Sequence, residues 1–284
     1  EVRDLWPQTF VDIGGYSNRS IVVKLLRVLE KFLYRRARKI VVLLPKASDY
    51  ITGLGIPSNK IVYIPNGVSP ELFSNSSANL PEELNELISG LKSEGKVIVG
   101  YTGAHGIADA LDTIIESAKL LQDERAEKVH FLLVGNGAEK KRLIQKAESY
   151  RLGNLSFFEP VPRNAMPALL RAIDIAMITK QKTDLYKYGM SFLKIFDYMI
   201  SAKPVIWAID SVNNPVAQAH CGITVPPEDA GEKGKAIIKL CGLRDEERKE
   251  MGMRGYDYVM KYHSVPVLAK RLLEAMGSAR MEKS

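Results

Sequence analysis

The sequence predicts an α/β protein whose main domain is a doubly wound parallel sheet. Two observations carry that prediction: from about residue 96 short apolar runs alternate with segments of helical period, and glycines gather in the loops after those runs. Strand and helix in alternation imply parallel βαβ units. Such sheets bind ligands in the crevice beyond the carboxyl ends of their strands, so the strand-to-helix loops are the places to search.

The elements follow in chain order. "IVVKLLRVLEKFLYRRARK" (21–39) reads as a helix with Leu25, Leu26, Leu29, Phe32 and Leu33 as its apolar stripe. Its basic residues are Lys24, Arg27, Lys31, Arg35, Arg36, Arg38 and Lys39, against the single acid Glu30. Two readings fit: a core helix with a basic outer face, or a helix lying on an anionic membrane surface. "KIVVLLP" and "KIVYIPNGV" read as strands, the second entering a Pro-Asn-Gly turn. "FSNSSANLPEELNE" then reads as a linker.

Beyond it, "KVIVGYTG", "VHFLLVG", "LSFFEP", "DIAMIT" and "KPVIWAI" are buried strands. "ADALDTIIESAKLLQ" and "GAEKKRLIQKAESY" are helical, and three further helical segments follow "GITVPPED". The division expected is 1–75 as the closing part of a first domain, 76–262 as the ligand-binding domain, and 263–284 as a terminal helix and tail. A first segment this short cannot hold a domain's core, so the chain is expected to be a fragment.

The net charge of +7 admits nucleic acid, anionic lipid or phosphorylated substrates as partners. Only Phe32 and Tyr34 stand among the basic residues of 21–39, too few for a run of stacking platforms, which argues against nucleic acid. There is no signal peptide at the start of this sequence and no apolar run of the roughly 18 residues a membrane span needs, so a cytoplasmic chain is expected, peripheral on the membrane if the basic helix touches lipid. Cys221 and Cys241 stand in no metal-ligand spacing and are expected to be buried packing residues. No Walker loop, zinc spacing, nucleophile elbow or Mg²⁺-holding acidic pair is present, and metal-independent chemistry is expected.

Three loops draw attention. In "YGMSFLKIFDYMISAKPVI" (188–206) Leu193, Phe196, Met199 and Ile200 should face the sheet, with Lys194 and Asp197 on another face. A surface ion pair is the plain reading. At the carboxyl edge of a parallel sheet, however, a helix opening at Gly189 would aim free N–H groups and a positive dipole end at a phosphate, with Lys194 adding charge and Asp197 accepting from a ribose diol. "YTGAHG" places Gly103 and Gly106 after the first strand of the domain, to approach a phosphate or to make a tight turn. His105 there either donates to a ligand or is a solvated loop residue. "VGNG" has Gly135, Asn136 and Gly137 but Lys140 at the third fingerprint position, which argues against NAD or FAD.

The ordered set "NKIVYIPNGVSPELF", "VGYTGAHG", "FLLVGNGAEKKRL", "LSFFEPVPRNAMPALLRAIDIAMI", "FDYMISAKPVI" and "GITVPPED" resembles the retaining glycosyltransferases of family 4, with their GT-B fold of two Rossmann-like domains. "DLWP" and "GMSFLKIFDYM" are most similar to the polysaccharide enzymes of the WbuB type. The resemblance implies a nucleotide-sugar donor, UDP-linked, held by the second domain without a cofactor, and a glycan or polyprenyl-linked acceptor held by the first. It also implies that Asp197 binds the donor ribose, that Gly103 to Gly106 face the diphosphate, that Gly189, Met190, Ser191, Phe192, Leu193 and Lys194 meet donor sugar and phosphates, and that Val161 and Pro162 contact the base.

The family's first glutamate falls at Gly189, and Ala108 and Asp109 stand where a lysine is common, so Lys194 is expected to serve as the phosphate cation. Two other readings remain at this point: a nucleotide-sugar 2-epimerase, and a nucleotide-sugar or glycan binding module without catalysis.

Overall fold

The computed structural model describes residues 1–12, 15–74 and 78–281, with side chains to residue 277. The expected boundary at 75/76 lies outside the described residues. The first unit comprises α1 (Gln8–Asp12), α2 (Ile21–Arg36), β1 (Ile40–Val42), α3 (Ala47–Gly53), β2 (Ile61–Tyr63) and α4 (Pro70–Ser74). β1 and β2 pair in parallel, with Ile40 opposite Ile61, and Val2 bridges to Val42. Leu5, Tyr34, Ile40, Val42, Ala47, Ile51 and Ile56 form its small core.

α2 is turned the opposite way from the core-helix reading. Val23, Glu30 and Tyr34 face inward, whereas Leu25, Leu29, Phe32 and Leu33 are each more than half exposed, at 65%, 51%, 57% and 55%, and Leu26 is half-buried. Glu30 is accepted inside because the Tyr50 hydroxyl donates to it at 3.0 Å and burial raises its carboxyl above the usual range.

The second unit begins with α5 (Glu82–Ser93), where the sequence suggests the end of a linker. Its polar, acid-rich opening conceals Leu84, Ile88 and Leu91, which are buried at i, i+4, i+7. Then follow β3 (Val97–Thr102), α6 (Asp112–Asp123), β4 (Val129–Val134), α7 (Lys140–Ser149), β5 (Leu155–Phe158), α8 (Met166–Ala172), β6 (Ile175–Thr179), α9 (Leu193–Ile200), β7 (Val205–Ala208), α10 (Pro215–Ala219), β8 (Gly222–Thr224), α11 (Ala230–Cys241), α12 (Asp245–Tyr262) and α13 (Val265–Met281). The six strands are parallel in the order β5-β4-β3-β6-β7-β8.

This is the doubly wound sheet the alternation predicts. Side chains alternate between two cores: Ile98, Leu132, Val134, Ile178 and Trp207 pack on one face, Val99, Phe131, Leu133, Met177 and Ile206 on the other. Cys221 is buried, but Cys241 is only half-buried at the end of α11.

Strand order reverses between β3 and β6, which places the crevice at the ends of those two strands. A hydrogen-bonded clamp fixes α9 to this point. The fully buried Tyr198 hydroxyl accepts the Thr102 N–H at 2.9 Å and lies 3.2 Å from the Thr102 Oγ1. Tyr198→Phe leaves that N–H unsatisfied, and we expect a loss of about 1–3 kcal/mol of stability in chemical denaturation with unchanged secondary structure.

Candidate functional site

A crevice of about 470 Å³ runs between the two units, its walls including Asp4, Thr9 and Asp12 on one side and Lys180, Tyr186 and Gly189 to Leu193 on the other. The segment 189–193 thus reaches the crevice, but its helix starts later than the sequence suggests. Gly189 ends a 3-10 turn at φ 95°, and α9 begins at Leu193 behind Phe192, which caps it without any side-chain hydrogen bond. Its first N–H groups therefore have no capping side chain. Leu193 is 53% exposed, a correction to its expected place on the sheet, because it is the first helical residue at the crevice wall; Phe196, Met199 and Ile200 are buried as expected.

Gly189 has no space for a side chain. A Cβ there would sit 2.5 Å from Pro45 and 2.8 Å from the Asn213 Oδ1. An acidic residue at this position would clash with Pro45 of the first unit and with Asn213. Around it, Met190 N–H donates to Asn213 Oδ1 (2.9 Å), and the Ser191 hydroxyl accepts the Asn66 N–H (2.8 Å).

Lys194 and Asp197 do not pair with each other. Lys194 donates to the Tyr101 hydroxyl at 2.7 Å and to Asp109 at 3.2 Å, and lies over the Tyr101 ring. Lys180, from the end of β6, donates to the same Asp109 oxygen at 2.8 Å. Burial works to raise the Asp109 carboxyl, yet Lys194 and Lys180 outweigh it and hold the group below the usual carboxylate range. Burial pushes Lys194 down to about 8, against the pull of Asp109. Two lysines share one carboxylate here, so the cluster keeps an excess positive charge. Lys194 also fills the space beside Gly103: with φ 140°, a Cβ at Gly103 would lie 2.8 Å from its Nζ.

The glycine loops pack on each other. A Cβ on Gly135 would lie 1.8 Å from the Gly103 carbonyl oxygen, and one on Gly137 would lie 2.4 Å from that of His105. His105 N–H donates to the Asn136 carbonyl at 2.9 Å, and the Asn136 side chain accepts from Gly137. Gly106 is under no such constraint. His105, expected either to donate to a ligand or to be solvated, is fully buried, enclosed by the loop pair with Phe157 beside it. Among the described residues neither ring nitrogen has a hydrogen-bond partner, and burial pushes its pKa down to about 4.

Asp197 is buried and held by both guanidinium nitrogens of Arg163, one of them at 2.7 Å. Arg163 follows Val161, which is buried, and Pro162, which is exposed. A ribose diol at Asp197 must therefore share the carboxylate with Arg163 or displace it.

Asp109, Lys180 and Arg163 are the site residues that sequence reasoning missed. Lys180 had a signal, since it ends an apolar strand at the carboxyl edge. Among the described residues no group of three or more His, Cys, Asp or Glu is placed to share a metal ion.

Asp109→Asn leaves the buried Lys180 and the largely buried Lys194 without their counter-charge, and we expect a loss of about 3 kcal/mol at pH 7. The loss shrinks as pH rises from 7 toward 8, because without the pull of Asp109 the variant's Lys194 sheds its proton at lower pH than the wild type's, and it is steady between 8 and 10, where Lys194 is neutral in both folded chains. Denaturation of both proteins across that range measures this.

A family model described as "Glycosyl transferases group 1" matches residues 85–258. "Probable glycosyltransferase WbjE" of Pseudomonas aeruginosa is 23% identical over 246 residues, covering 85% of this chain and 59% of that protein. WcaI of Escherichia coli K12, named for colanic acid biosynthesis, is 30% identical over 129 residues, 45% of this chain and 30% of that protein. Among solved structures, HepE of Anabaena in complex with UDP and glucose superposes with a TM-score of 0.69 at 17% identity, covering 89% of this chain and 66% of that one. Sucrose-phosphate synthase of Thermosynechococcus elongatus gives 0.72 at 18%, with 96% and 66% covered. The chain spans about three fifths to two thirds of the length of these longer matches. The doubly wound sheet, its second unit and these neighbours make the fold GT-B type, and by the match over 85–258 the chain belongs to the group 1 glycosyltransferases.

Proposed function

We propose that this chain carries the donor side of a retaining glycosyltransferase of cell-surface glycan synthesis, taking a UDP-linked sugar without a metal ion and passing it to a glycan or polyprenyl-linked acceptor at a membrane. The observation that carries the reading is the convergence of the uncapped first turn of α9, Gly103 and the doubly cationic Asp109 cluster at the β3/β6 reversal. The diphosphate sits against those N–H groups with Lys194 as its cation, and Asp197 accepts from the ribose. Val161 and Pro162 lie toward the base. Catalysis on this scheme is electrostatic stabilisation of the leaving diphosphate. The UDP and glucose of the HepE complex support the choice of donor.

The lack of room at Gly189 favours a second reading, a donor-binding module without turnover. Transfer or hydrolysis of a UDP-sugar separates the two. Calorimetric titration with UDP and GDP in excess EDTA tests the site. We expect UDP to bind, Lys194→Ala to weaken it by about tenfold or more, and wild-type affinity to fall above pH 8 as Lys194 is neutralised. Unchanged affinity in both Lys194→Ala and Asp197→Asn would reject this site.

A further inference from the structure

We infer that the outer face of α2, together with Trp6, is a docking surface for an anionic phospholipid bilayer. The surface stands on its own observations; what it delivers to the crevice rests on the acceptor reading above. At about 100° per residue, Ile21, Leu25, Val28 and Phe32 lie along one line, with Val22, Leu29 and Leu33 beside it. All seven are between 51% and 75% exposed. Val23, Glu30 and Tyr34, on the opposite side, face the core under β1.

The charge of the face selects the occupant. Lys24, Lys31 and Arg35 run along one edge of the stripe, Arg36 lies within it, and the helix's one acid is buried with Tyr50. The rest of the exposed helix is apolar. A second copy packed face to face would set these cations against their equals. Lipid phosphates oppose them with the right sign, and acyl chains take the stripe. No helix among the described residues is long and apolar enough to cross a membrane.

The neighbouring segment ties this face to the site. Trp6, Pro7 and Phe10 form an apolar groove with Leu26, Leu29 and Leu33, while Thr9 and Asp12 of the same short helix line the crevice. One turn of α1 separates bilayer from crevice, which lets a lipid-linked acceptor enter without leaving the membrane. Trp6, 45% exposed, sits where interfacial tryptophans are favoured.

The test uses this chain with vesicles of phosphatidylcholine alone and with added phosphatidylglycerol, read by co-sedimentation and tryptophan emission. Trp207 is 1% exposed, so a blue shift on binding reports Trp6. We expect binding to the anionic vesicles, weakened about tenfold or more both by Leu25→Ser/Val28→Ser/Phe32→Ser and by Lys24→Gln/Lys31→Gln/Arg35→Gln, and weakened by salt. Five of the six residues are exposed and Lys31 is half-buried, and unchanged thermal melting verifies folding. No partition into phosphatidylglycerol vesicles overturns the proposal. So does a dimer in light scattering that the serine variant disperses. UDP titration of the same variants is independent, so loss of the donor reading and loss of the lipid surface are separate outcomes.

Discussion

One carboxylate holds the site together. Asp109 receives Lys180 from the end of β6, Lys194 from the first turn of α9 and the Tyr101 hydroxyl from β3. Each comes from a different element, and the two lysines alone would repel one another across the point where strand order reverses. The acid that displaces an expected lysine from the glycine loop thus recruits two others to its place. Charge at the crevice is supplied by neighbours in space.

The same economy governs the loops. Gly135 and Gly137 are glycines because loop 103–106 lies directly on them, and Gly189 is one because Pro45 of the first unit lies against it. These are contacts of backbone with backbone or ring, which no rotamer change relieves. The crevice therefore has walls of fixed shape on the second unit. Asp197, by contrast, is covered by a long side chain, Arg163, whose guanidinium remains half exposed itself.

The sequence was most informative where a physical constraint is local. Strands buried on both faces must be apolar throughout, so "VHFLLV" and "IAMIT" declared themselves. Glycines after them marked the crevice. Orientation was not legible: the periodicity of α2 defines a stripe but not what the stripe faces, and its inward residues include Glu30. Nor were the partners of the charged residues. Asp109 meets Lys180 across 71 positions and Lys194 across 85, and His105 is enclosed by loops and strands brought together only by the sheet. The i, i+3 spacing of Lys194 and Asp197 suggested a pair, yet each found a stronger partner on another element.

Three buried histidines make the stability of the fold depend on pH. His105, His130 and His263 are all buried, and burial pushes each down to about 4 from the ordinary 6.5. Folded, they stay neutral; unfolded, they take up protons below pH 6.5. Their contribution is intact above that value and is lost progressively as pH falls toward 4. His105 lies between the two glycine loops and His263 at the bridge joining Val68 to the start of α13, so this pH-dependent part of the stability is seated in the loop pair and in the tie between the units. Acid therefore acts through the unfolded chain, lowering the stability of the whole fold before any of the three rings is charged in place.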